Sequence, residues 1–129
     1  MLKETITCLV IIITIFIFDN RTQAYTSQSV RQTVNSLENL KKEVSEENKD
    51  NEKMKKNINE IYDEWMQFHD KLAFYIEHDE LEKVETEMVG VKGNIEIEEY
   101  ETVVSEIDKC IFILEHIEDK YKFSLANRF

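Results

Sequence analysis

The sequence predicts an all-α protein: an N-terminal apolar helix followed by a four-helix antiparallel bundle or two stacked helical hairpins. Three observations carry this. The 129 residues include no proline and only two glycines, so little interrupts a helix. Four segments place apolar residues at alternating steps of three and four, the spacing of one helix face. Ahead of them lies a single uninterrupted apolar run.

That run is residues 6–18, ITCLVIIITIFIF, with no charge and ten Ile, Leu, Val or Phe side chains. At ~0.3 to 0.6 kcal/mol per such residue, membrane entry gains roughly 3 to 6 kcal/mol. As a helix the run rises only ~20 Å against a hydrocarbon core of ~30 Å, so a span must recruit its flanks, Leu2 and Lys3 on one side and residues 22–25 on the other. The rival reading is a cleaved signal peptide, with Lys3 as its basic start and Thr22-Gln23-Ala24 as a small-residue exit. Both deliver the remainder outside the cytoplasm, because the positive flank stays inside. Residues 1–24 are therefore expected to be an anchor or signal segment, and residues 25–129 an extracytoplasmic helical domain: single-pass in the cell membrane, or secreted if the leader is cleaved.

Val30, Val34, Leu37, Leu40 and Val44 mark the first bundle helix, over about residues 27–47. Residues 45–53, SEENKDNEK, hold no apolar side chain, and Asp50 or Asn51 suits the cap of a new helix. Met54, Ile58, Ile61, Trp65, Phe68, Leu72 and Tyr75 then run in six steps of four and three, the clearest seam in the chain. Asp79 with Glu82 three residues later has the chemistry of a capping box opening a third helix, whose stripe is Leu81, Val84, Met88, Val91 and Ile95. Gly93-Asn94 suits a left-handed exit. The last stripe is Tyr100, Val104, Ile107, Ile111, Leu114, Tyr121 and Leu125, with Ile117 standing in for the slot at Glu118.

The net charge of −11 narrows the function classes. Lys3 and Arg21 cancel Glu4 and Asp19, so the whole excess lies beyond residue 24. The basic cluster Lys53, Lys55, Lys56 is offset by Asp50, Glu52 and Glu60, which excludes nucleic acid as a partner. Cys8 and Cys110 make no disulfide framework, and Cys110 reads as a small core filler. His78 and Glu82 stand one helical turn apart, but a metal site needs three or four ligands, so no metal or cofactor is expected. No histidine has a glutamate three residues before it, which removes the di-iron bundle class. The acidic run Glu96, Glu98, Glu99, Glu101 lacks the glycine turn of a calcium loop. There is no nucleophile elbow and no phosphate loop, so no catalytic residue is nominated.

Trp65 within EWMQFHDKLAFYIEHDEL, the His78-Asp79-Glu80-Leu81 step, the two later stripes and the ending SLANRF together resemble the domain of unknown function 4363 family. The resemblance covers about residues 30–129 and the leader in kind. It implies a short, membrane-anchored helical protein of low-GC Gram-positive bacteria, with no assigned activity. Leu81 stands where the family has Ile, and Arg128 where it has an apolar residue. The resemblance makes Trp65, His78 and Glu80 structural candidates at the junction of the second and third helices. His78 is then expected to bridge them, its charge favoured by the preceding helix dipole and by Glu77 and Glu80.

The functional expectation is a non-enzymatic, membrane-tethered extracytoplasmic domain for interaction or scaffolding. Its expected contacts are the membrane through residues 6–18, and a protein partner or a second copy through helical surfaces. The alternative is an extracytoplasmic ligand or cation sensor using the acidic face and His78.

Overall fold

The computed structural model describes the backbone of residues 1–128 and the side chains of residues 1–122. Four helices account for nearly all of it: α1 (Leu2–Ser45), α2 (Asn51–Leu72), α3 (His78–Glu96) and α4 (Tyr100–Arg128). Each packs along its neighbours in sequence, α1 also packs along α4, and among the described residues neither diagonal pair comes together along its length. Cross-helix pairs run in opposite directions: Gln32–Glu64 and Glu43–Asn57 between α1 and α2, Arg31–Glu118 and Lys41–Asp108 between α1 and α4. The architecture is thus an up-down-up-down square of four antiparallel helices, and the stacked-hairpin alternative falls away.

Four seams converge on one core. Val30, Leu37, Leu40 and Val44 of α1 meet Met54, Ile58, Trp65 and Leu72 of α2, with the whole expected α3 stripe buried. On α4 the buried positions are Val103, Ile107, Cys110, Ile111, Leu114 and Ile117, while Tyr100 and Val104 lie at the margin. The seam there is the heptad path 103, 107, 110, 114, 117, which accepts Cys110 because a small side chain is needed opposite the Val84 carbonyl, 3.8 Å from Sγ. Leu125 lies outside the described side chains. On α2 and the turn that follows it, Phe68 and Tyr75 are half-buried, and His69 and Ile76 take the inner positions.

α1 differs most from expectation. No separate N-terminal helix precedes the bundle: the apolar run is the first half of α1, which passes through residues 18–27 without a break. The reason is local, since DNRTQAYTS contains neither Gly nor Pro and nothing ends a helix there. Among the described residues no helix is long and apolar enough to cross a membrane. Within the bundle, α1 also buries Thr26, Ser29 and Thr33, whose hydroxyls donate to carbonyls four residues back at 2.7, 2.7 and 2.8 Å. Small, self-satisfied polar residues let α4 approach closely at no hydrogen-bonding cost.

The junctions are mixed. Asp50 caps α2 as expected, accepting from the Lys53 N–H at 3.1 Å. The expected capping box at Asp79 and Glu82 does not form: α3 begins at His78 after Glu77, with no side-chain cap, and Glu82 bonds His78 instead. Nor does α3 leave at Gly93-Asn94. It continues through Glu96, and the left-handed residue is Glu98, φ 59°. Asn94 is held inside the helix by the Gly90 carbonyl and by Glu106 of α4, both at 3.0 Å, which keeps α3 winding.

The two glycines have different reasons. A side chain at Gly90 would collide with the Glu106 carboxylate, whereas Gly93 faces open space in an ordinary helical conformation. Gly93→Ala is expected to stabilise the fold by about 0.5–1 kcal/mol, read from urea unfolding, because it removes chain entropy only from the unfolded state. Gly90→Ala should fall clearly short of that gain.

Candidate functional site at the end of the bundle where α1 emerges

The residues singled out from sequence gather toward one end, where α1 leaves the bundle, α2 turns into α3 and α4 runs out. Trp65 is fully buried, and its indole N–H has no partner among the described residues. It is a packing centre, as its place on the seam predicts. Below it, the last turn of α2 presents His69 to Glu85 of α3 as an ion pair with both side chains largely buried. The His69 ring meets the edge of the His78 ring at 5.7 Å between centroids. His78 is exposed and pairs through Nε2 with Glu82 Oε1 at 2.8 Å.

Two expectations about this junction are corrected. His78 meets the end of α2 through the His69 ring edge, but its carboxylate partner is Glu82 within α3, and Glu80 is taken by Lys120 of α4 at 2.7 Å. The carboxylate contact between α2 and α3 belongs to His69, a residue the stripe reading passed over in favour of Phe68. The signal was present: 65, 69, 72 and 76 continue the four-three-four path as well as 65, 68, 72 and 75 do, and all four are buried. Burial raises the Glu85 pKa above its ordinary value, with His69 opposing that rise.

A tyrosine set closes the same end. The Tyr75 hydroxyl lies 2.7 Å from Thr26 Oγ1 and donates to the Thr22 carbonyl at 3.1 Å, tying the α2–α3 turn to α1. The Tyr121 hydroxyl accepts from the Glu77 N–H at 3.0 Å, capping α3 from α4 in place of the missing capping box. The Tyr75 and Tyr121 rings meet edge to face at 6.5 Å. Burial raises the pKa of both phenols, so both stay protonated donors through the neutral range. Glu118, on the α4 slot that its charge left in question, is buried and held by Arg31 at 2.7 Å and Ser27 at 3.1 Å.

Nothing in this arrangement presents reactive chemistry to a cavity. Among the described residues no three His, Cys, Asp or Glu converge as a metal requires. Burial, then the charge of Glu87, pushes the Cys110 thiol up to about 12, which makes it inert. An open groove of about 410 Å³ runs between α2 and α3 over Ile58, Tyr62, Met88 and Val89, with Lys92 and Glu96 on its lining. It is an apolar contact surface without a paired nucleophile and base.

Two outcomes check the junction. His69→Ala should cost on the order of 3 kcal/mol by leaving Glu85 buried and unpaired, whereas His78→Ala, which breaks an exposed pair one turn apart and an edge contact with the His69 ring, should cost under about 1 kcal/mol. Because the folded state holds the Glu85 proton more tightly than the unfolded chain, stability from this carboxyl is present below the ordinary glutamate pKa of 4.5 and is lost as pH rises through the raised folded value. The stability of the wild type relative to Glu85→Gln should therefore be greater near about pH 4 than near about pH 7 in chemical unfolding.

No curated protein and no solved structure matches the chain. A family model does, over residues 21–127, beginning where α1 enters the bundle and spanning all four helices. The chain belongs to the family described as a domain of unknown function, DUF4363.

Proposed function

We propose that this protein is a non-enzymatic helical domain held at the outer face of the membrane by the first half of α1, and that it works by binding or scaffolding through its helical surfaces. One observation carries the reading. Residues 6–18 project beyond the bundle as a continuous helix whose apolar side chains are bare on every face, with Leu9, Ile12 and Phe18 each more than half exposed. A helix apolar all round has no stable place in water, and a bilayer is the environment that buries all of its faces at once. The uncharged run is short, so it crosses only with flanking residues drawn in and the bilayer thinned. Lys3 on the N-terminal flank sets the direction that places the bundle outside.

Retention of the leader is favoured over cleavage. A cut after Ala24 would remove the Thr22 carbonyl that accepts from Tyr75 and the turn of α1 that holds buried Asp19. The interaction role is supported by apolar side chains that the bundle leaves outside, Val89 beside the α2–α3 groove and Phe112 on α4.

Expression of the full chain with a membrane-impermeant protease added to intact cells tests both parts. The expected result is an intact mass that retains residues 1–24, recovery with membranes after carbonate washing, and digestion of the bundle only from outside. Recovery in the soluble fraction with the leader still attached overturns the tether. Cross-linking on those membranes should trap a partner or a second copy, and a chain that stays a lone monomer counts against the scaffolding role.

A further inference from the structure

We propose that the turn between α2 and α3 makes a second contact with the bilayer, seating Phe74 in the phospholipid headgroup layer beside the point where α1 leaves the bundle. The inference rests on the membrane-held reading above. Phe74 is 88% exposed, although it lies between half-buried Tyr75 and fully buried Leu72. Its position is fixed: Tyr75 is tied to α1 at Thr26 and at the Thr22 carbonyl, 2.7 and 3.1 Å away. Thr22 is four residues from Phe18, roughly 6 Å along the helix axis. The headgroup layer is about 5–8 Å deep on each side of the bilayer. With Phe18 at the hydrocarbon boundary, the turn therefore lies at headgroup level, within reach of the headgroup–acyl boundary into which apolar side chains such as Phe insert.

Two features prevent the bundle from standing clear. α1 is unbroken from Leu2 to Ser45, so no linker lets the end face lift away. The uncharged run of residues 6–18 is about 10 Å shorter than a hydrocarbon core, which draws the bundle inward and not outward. The exposed charges at this end are mixed, with Arg21, Lys71 and Lys122 against Asp70, Glu77 and Asp79. The contact is thus apolar and indifferent to lipid charge, unlike a polybasic patch.

The test uses the full chain with Cys8→Ala in phosphatidylcholine vesicles, with a nitroxide label on Phe74→Cys or, at the opposite end of the bundle, on Ile97→Cys. Both positions are exposed turns, and the buried Cys110 does not react, so the core is untouched. The expected ratio of oxygen to nickel-chelate collisions is several-fold higher at position 74 than at 97, and unchanged by added phosphatidylglycerol or high salt. Equal ratios at the two positions, with the chain floating with the vesicles, overturn the lipid contact and leave the tether standing. Failure to float overturns both. Spin–spin broadening at position 74 with protection from the nickel chelate shows that a second copy covers Phe74 and overturns the lipid contact.

Discussion

The rest of the structure depends on the width of the apolar stripes. Each bundle helix has one seam that advances three and four residues at a time, wide enough to be covered only by neighbours on two sides. In the square, every helix has two such neighbours and none faces water with its seam. Trp65 sits fully buried in this arrangement as one of the largest side chains of the core. Among the described residues its indole N–H finds no partner, a cost of about 1–3 kcal/mol that the packing of so large a ring offsets.

Polar contacts then settle which ends go together. Asn51 donates to the Ile95 carbonyl at 2.9 Å and to the Tyr100 hydroxyl at 2.8 Å, closing the end far from the apolar run. At the near end, Tyr75 fastens the α2–α3 turn to α1, Tyr121 fastens it to α4, and His69 with Glu85 joins α2 to α3. Directional bonds of this kind add little net stability each but penalise a shifted register, because each slip would leave a buried donor or acceptor unpaired.

In the function proposed above, α1 belongs to two environments. Its second half is a bundle helix with a polar outer face, and its first half is apolar all round. Nothing between them breaks the helix, which runs unbroken from Leu2 to Ser45. The proposed reading directs attention to the end face, where Tyr75 is bonded to the emerging helix and Phe74 stands exposed beside it.

Much of this was legible in the sequence. Steps of three and four among Ile, Val, Leu and Met fixed the helices and nearly all of the α3 core, because periodic burial is a property of the helix itself. Asp50 as a cap was readable for the same reason, since its chemistry acts within one turn. Phe68 and His69 could not be ranked, because both lie near the seam and only the partner, Glu85, decides which turns inward. The Asp79–Glu82 box failed because Tyr121 and His78, distant in sequence or outside the motif, supply the contacts instead. The sequence by itself determined four amphipathic helices and one apolar run. Only the tertiary structure decided that the helices form a square and that His69 is the residue of α2 that meets Glu85 of α3, since each depends on groups far apart along the chain.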